Sequence, residues 1–359
     1  MSGSLAIIIS GTRLPTDDTD QHPSEPFRVS RYILRIPREP KAAISDQISM
    51  LSFLKLRTKL PSPDIVHFDL TNENATEKPY MIQRRIPGVD LQGAYPTLPH
   101  AQRCCVVYQI ARICREMQDI TSPIGGCLTA SPENLTTEFP VSLDRITVSH
   151  LRLHFRGEPL EAIENTLKSE KPLDMLLLQF QRWSTLHTTL SPGSWLLPRY
   201  FAQLEVIAEQ MDALDCFGGN DMVLCHTDLS PRNIMVDTTP DGSIHISGIL
   251  DWDEAIFGPR VMSCLSPSWI WQWQDNSEED ETKAPDDPED VELRELKSIF
   301  EKEVGEGFTS LAYPRQYRLA RKLCHFALYG IHCKEHMEAA HALFNEWRLV
   351  KQEMEGSQG

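Results

Sequence analysis

Two short stretches constrain this chain more than any other part of it. The first is His226-Thr227-Asp228-Leu229-Ser230-Pro231-Arg232-Asn233, which comes after the apolar run Met222-Val223-Leu224-Cys225. The second is Leu250-Asp251-Trp252-Asp253, which ends the strand-like run 244–250. Between them Pro240-Asp241-Gly242 is a turn, with a glycine free to take a left-handed conformation. The pattern predicts a buried strand over 222–225, a polar loop, and a hairpin of strands over 234–236 and 244–250. Such a chain must fold so that a loop and a hairpin end lie side by side.

The residue types at those positions suit phosphoryl transfer. That reaction needs little covalent help; positioning and charge neutralisation supply most of the rate. Asp228 can accept the proton of an attacking hydroxyl. Asn233 and Asp251 offer oxygens to magnesium, and the amide does so without adding negative charge beside a triphosphate. Asp228 and Asn233 could instead cap turns, with Asp251 capping the next element. His226 is read as structural, its ring hydrogen-bonding backbone and holding the loop in shape. Two other functions stay open: a kinase-like module that binds without transferring phosphate, and a metal-dependent hydrolase using His226, Asp228 and Asp251. The hydrolase is the weaker, since such enzymes need more ligands.

Along the chain, periodicity predicts a sheet-rich beginning and a helical remainder. Strands are expected over 7–10, 29–36, 65–68 and 80–83, with a loop over 11–26 and a helix over 42–60. In that helix Ile44, Ile48, Leu51 and Leu54 share a face. After Pro87-Gly88 helices are expected over 101–117, 173–190, 200–214, 291–303 and 314–351, the last broken near Gly330. This places a small lobe over 1–86 and a helical lobe, holding the loop and hairpin, over 87–359. A cleft between such lobes is a good place for a nucleotide.

Bulk properties narrow the partners. The formal net charge is −16, which argues against nucleic acid. Part of the acidity lies in 275–292, read as a solvated loop. No segment approaches the roughly 20 apolar residues that a membrane span requires, and 5–9 reads as a strand, not a signal peptide. Nine cysteines without a CxxC pair suggest reduced thiols and a cytoplasmic protein. His325, His332 and His336 share a helical face, but no second cluster at metal spacing accompanies them. Trp269, Trp271 and Trp273 read as core packing, or as walls of an acceptor pocket. Asp253 is an acidic group placed to orient a metal ligand or meet substrate. The oligomeric state is not legible.

With these residues in view, the chain resembles the aminoglycoside phosphotransferase and choline kinase superfamily, and most of all its fungal members of unknown substrate. Tyr32-Ile33-Leu34-Arg35-Ile36-Pro37 looks like the strand carrying the nucleotide-facing basic residue, and Leu60-Pro61-Ser62-Pro63 like the turn after the first long helix. Phe257-Gly258-Pro259-Arg260 and Pro267-Ser268-Trp269-Ile270-Trp271 resemble the segment after the metal aspartate in the fungal group. The resemblance implies an α+β, two-lobed protein-kinase-like fold with a small antiparallel-sheet N-lobe and a large, mainly helical C-lobe. It implies Asp228 as catalytic base, Asn233 and Asp251 as magnesium ligands, and ATP as phosphoryl donor to a hydroxyl of a small molecule, with a natural product as one guess. The peptide groups of Gln83, Arg84 and Arg85 would meet adenine.

Against that pattern, Arg35 stands where lysine is usual and Gln47 where a glutamate would pair with it. A Gln47–Arg35 hydrogen bond is expected in place of the ion pair. Gly3-Ser4-Leu5 is all that remains of a phosphate-covering loop, so the small lobe is expected to be shortened at its start. Thr227 stands where many relatives have glycine, and a threonine is acceptable there if the backbone stays at negative φ.

Overall fold

The computed structural model describes residues 4–10, 31–37, 44–130, 135, 139–149, 151, 154–155, 158–159, 170–190, 196–273 and 280–356. Strands β1 (Ser4–Ser10), β2 (Arg31–Pro37), β3 (Ile65–Asp69) and β4 (Tyr80–Arg84) form an antiparallel sheet in the order β1-β2-β4-β3. Helix α1 (Ile44–Arg57) is inserted between β2 and β3. Its predicted face is real: Ile44, Ile48, Leu51 and Leu54 are buried. Pro61 and Pro63 come next, and proline cannot continue a helix. Ser4, expected in the remnant of a phosphate-covering loop, lies instead in β1, paired with Pro37, and Leu5, which opens the expected strand 5–9, pairs with Ile36. The expected loop over 11–26 lies outside the described residues.

The rest of the chain is mainly helical. After β4 come β5 (Val89–Asp90), the short α2 (Leu91–Ala94) and the long α3 (His100–Asp119). Then come the short strands β6 (Thr121–Ser122), β7 (Cys127–Thr129), β8 (Thr147–Ser149), β9 (His154–Phe155) and β10 (Glu158–Pro159). Helices α4 (Pro172–Leu190) and α5 (Leu196–Ala213) lead to β11 (Met222–Cys225), β12 (Ile234–Thr238) and β13 (Ile244–Ile249). The chain ends through β14 (Ile256–Pro259), α6 (Arg260–Ser263), α7 (Val291–Val304), α8 (Glu306–Ala312), α9 (Arg315–Tyr329) and α10 (Lys334–Gly356). Gly330, at φ +71, makes the expected break between the last two, and a Cβ there would meet the Trp183 ring at 2.8 Å. This is the α+β, two-lobed arrangement that the resemblance implied. One hydrophobic core runs from Ile44 to Val350.

Three features tie the sheet to the helical part at the loop and hairpin. First, β5 adds to β12 (Met235↔Asp90, Val236↔Val89), so the chain leaving β4 is stitched to the hairpin. Gly88 makes this possible. At φ +91 it lies so close to β12 that a Cβ would sit 2.0 Å from the Val236 carbonyl oxygen. Second, the turn after α1 offers the Pro61 carbonyl, which accepts from Ile249 N at 2.7 Å. Third, α1 packs Phe53 edge-on against Phe257 of β14, ring centroids 5.7 Å apart.

The acidic stretch is more ordered than a solvated loop. Its carboxylates in 280–292 are mostly exposed, as expected, but two buried cations strap it down. Lys297 Nζ donates to Pro285 O at 2.6 Å and Asp287 Oδ1 at 2.7 Å. Arg321 Nε donates to Glu281 at 2.6 Å. Asp290 caps α7, accepting from Glu292 N and Leu293 N at 2.8 and 3.0 Å. The remainder, 274–279, lies outside the described residues.

Candidate active site

Strand β11 is buried along its whole length and lies between β14 and β6. Its pairing Cys225↔Ile256 sets the start of the loop, His226, beside the segment that comes after Asp251. On the other side of the loop, Ile234 pairs with Ile249, and Leu250 N donates to Asn233 O at 2.7 Å. Backbone pairing thus carries Asn233 to within one residue of Asp251.

Within the loop, Asn233 Nδ2 donates to Asp228 O at 2.9 Å and to Asp228 Oδ2 at 3.0 Å. Arg232 donates to the same oxygen at 2.6 Å. Asp228 Oδ1 accepts nothing in this network. The amide is oriented by its two donations, which leaves its oxygen for another partner. His226 is buried, and its Nε2 donates to Leu250 O at 2.8 Å, which specifies the Nε2–H tautomer. Its ring packs edge-on against Trp252 at 4.5 Å. Burial pushes the imidazole below its ordinary pKa, while Asp228 and Asp251 pull it up less strongly. A neutral ring that donates to backbone and packs on an indole suits the structural role expected of it.

Two residues of the site are held in the left-handed region. Asp251 has φ 62 and ψ 47, a conformation aspartate tolerates. Thr227 has φ 66, contrary to the expected negative φ, and a β-branched residue pays for this in strain. Its hydroxyl offsets part of the strain by donating to Glu254 O at 3.2 Å. Thr227→Gly is therefore expected to stabilise the protein. Relief of about 1–2 kcal/mol of left-handed strain should outweigh the ~0.5–1 kcal/mol entropic cost of glycine. Thermal denaturation checks this; an unchanged or lower melting temperature would mean that the Glu254 bond matters more than the strain.

The small-lobe candidates fall differently from expectation. Arg35, on β2, reaches across to Asp253: Nη1 donates to Oδ1 at 3.1 Å and Nη2 to Oδ2 at 2.6 Å. Its Nη2 also lies 4.0 Å from Asp251 Oδ1. The expected Gln47–Arg35 bond is absent. Gln47 is buried, and Oε1, the only atom that could accept from a guanidinium, has no hydrogen-bond partner. The neighbouring Asp46 is engaged elsewhere, accepting from Thr129 Oγ1 at 2.8 Å. Gln83 is buried opposite Ile33 and Ile65, its amide turned to Met81 Sδ at 3.6 Å. Arg84 N donates to Asp64 O at 2.8 Å, and Arg85 comes next on the way to Gly88. Asp253 is nearly buried, with a side chain 9% exposed. Burial raises its carboxyl to about 6, against the pull of Arg35 and with a further push from Asp251.

Asp228 opens onto a cavity of about 590 Å³ whose walls include Arg232, Met262, Trp269, Trp273 and Lys283. Trp269 and Trp273 pack against Tyr95, centroids 5.4 and 5.1 Å apart, and the Tyr95 hydroxyl donates to Ile270 O at 2.9 Å. Trp271 takes the other reading and packs on Phe300 at 5.8 Å in the core. Among the described residues, the one His/Cys/carboxylate group near metal-ligand spacing is His100, Cys104 and Glu295, not the His325, His332 and His336 set. All nine cysteines are unpaired. No helix among the described residues is long and apolar enough to cross a membrane.

Several known proteins are similar to this chain. Two subtelomeric hrmA-associated cluster proteins, from two strains of Aspergillus fumigatus, are each 23% identical over 345 residues. The alignment covers 82% of this chain, which spans only 63% of the length of those relatives. Among solved structures, the streptomycin–ATP ternary complex of APH(2″)-IIa is 14% identical with a TM-score of 0.48, covering 88% of this chain and 84% of that one. A thermostable mutant of aminoglycoside phosphotransferase APH(4)-Ia, with ADP and hygromycin B, is 14% identical with a TM-score of 0.47, covering 91% and 88%. The profile of the APH family of phosphotransferase enzymes matches residues 24–263, which take in β2, α1, the loop and the hairpin. With more than half of its length matched in this way, the chain belongs to the phosphotransferase enzyme family.

Proposed function

We propose that this protein transfers the γ-phosphate of ATP, with magnesium, to a hydroxyl group of a small molecule. The observation that carries the proposal is the contact of Asp228 with Asn233, whose backbone pairs with Leu250 next to Asp251, while Asp228 itself lines a cavity of about 590 Å³. That volume lies within the range of small-molecule sites. Asp228 Oδ1 receives the hydroxyl proton of the acceptor, while Asn233 and Arg232 hold Oδ2 and so fix the carboxylate's orientation. The donor set suits magnesium. Asn233 contributes a neutral amide oxygen oriented by its own donations, and the Asp251 carboxylate is 53% exposed. The cation, when bound, would supply charge neutralisation at the transferring phosphate. Arg35 would meet the phosphates and the peptide groups of Gln83, Arg84 and Arg85 the adenine; Gln47 has no such part. In this reading the two lobes divide between residues 86 and 87, and the protein works in the cytoplasm on a small-molecule acceptor without nucleic acid or membrane.

One observation favours a second reading, a module that binds nucleotide without transferring phosphate. The cation meant for the phosphates, Arg35, is already engaged by Asp253. Thermal shift with Mg-ATP, set beside phosphate transfer over a broad panel of hydroxyl compounds, separates the two. A shift accompanied by transfer to at least one acceptor is expected. A shift without transfer to any acceptor would support the binding module, and no shift would defeat both.

A further inference from the structure

Among the described residues, Arg35–Asp253 is a two-bond polar link between the small sheet and the turn after the hairpin, and the phosphotransferase reading leaves it without a role. Its partners are 218 positions apart in sequence. Arg35 sits on β2, between β1 and β4, so its backbone is held from both sides. Asp253 sits on the single helical turn Trp252–Glu254 directly after Asp251. That turn is anchored: Trp252 Nε1 donates to Ile249 O at 3.0 Å, and its ring packs on His226. Two parallel N–H···O bonds from guanidinium to carboxylate fix a plane as well as a distance. Lysine at position 35 could make one such bond but not the fork. Meanwhile α1 offers no carboxylate to Arg35 at Gln47, whose oxygen is buried without a partner.

We infer that Asp253 is the positioning residue for Arg35, doing from the turn after the hairpin what Gln47 of α1 does not do. The inference rests on the phosphotransferase reading, in which Arg35 meets the nucleotide phosphates. One edge of the guanidinium is committed to Asp253, and Nη2 is held 4.0 Å from Asp251, beside the proposed cation site. The remaining N–H groups are left for phosphate oxygens. Because its anchor belongs to the large lobe, Arg35 is placed only when the sheet is closed onto the hairpin. Nucleotide affinity and lobe closure then depend on the same two hydrogen bonds.

The test compares wild type, Asp253→Asn, Arg35→Lys, Arg35→Met and the Arg35→Met/Asp253→Asn double variant. Binding of a non-hydrolysable Mg-ATP analogue is measured calorimetrically, and KM for ATP and kcat in turnover. Charge-assisted hydrogen bonds of this kind correspond to roughly 10–100-fold in affinity. Asp253→Asn is expected to weaken analogue binding and raise KM by that factor, with kcat changed by less. Arg35→Lys should give about tenfold, since it keeps the charge and loses the fork. In the Arg35→Met background Asp253→Asn should have no further effect on binding, whereas a merely structural role would weaken both backgrounds alike. Wild-type-like affinity in Asp253→Asn, tighter binding in it, or an equal loss in both backgrounds would overturn the inference while leaving the phosphotransferase reading intact. Should Asp253→Asn fail to fold, wild-type affinity in Arg35→Lys would overturn it equally. Failure of the wild type to bind the analogue would overturn the phosphotransferase reading, and this inference with it.

Discussion

Asp228→Asn is expected to fold like the wild type, to bind Mg-ATP with similar affinity, and to turn over roughly 10²–10⁴-fold more slowly. The reason is local. The asparagine keeps the shape of the side chain but has no basic oxygen to take the proton of an acceptor hydroxyl. What the fold loses is small: Arg232, the ion-pair partner of Asp228, is 65% exposed, and exposed pairs contribute about 0–1 kcal/mol. The loop is held by other bonds, notably His226 to Leu250 O and Leu250 N to Asn233 O. Steady-state kinetics on any acceptor found active, with thermal denaturation as the folding control, measures both halves of the prediction. Unchanged turnover would remove Asp228 from the proton transfer.

Asp251→Asn should have an effect of comparable size through a different step. Asparagine also accepts the left-handed backbone at φ 62, so the substitution tests the charge and not the conformation. Metal assistance amounts to several kcal/mol of transition-state stabilisation, so losing the anionic ligand should lower turnover by about 10²–10³-fold at fixed magnesium. The same variant should need about tenfold more magnesium, or more, for half-maximal rate. A magnesium titration of wild type and variant reads this out directly. Coincident titration curves would take Asp251 out of the cation's coordination.

How far these residues could be read in advance varies with how local their determinants are. The helix face of α1, the buried strand β11 and the hairpin of β12 and β13 each carry their own periodicity or turn chemistry, and each forms close to its expected bounds. Strand β14 does not. Ile256-Phe257-Gly258-Pro259 has no alternation and is a strand because β11 supplies its partner. Helix α8, only 7 residues long and separated from α7 by Gly305 alone, is likewise too short for its spacing to stand out. The acidic stretch misled in another way: its composition says solvated loop, but Lys297 and Arg321 come from helices later in the chain to hold it.

The site divides along the same line. Asp228, Asn233 and Asp251 could be named as candidates from the linear chain because loop, turn and hairpin fall within one short region, where spacing constrains geometry. The partner of Arg35 is expected to be Gln47 and proves to be Asp253, because no local signal separates the two until strands and helices are placed in space. Packing settled it: α1 turns Gln47 into the core, and the turn after β13 brings Asp253 to the guanidinium. A contact between residues 218 positions apart leaves no local trace, since it depends on how two elements pack and not on what either would do alone.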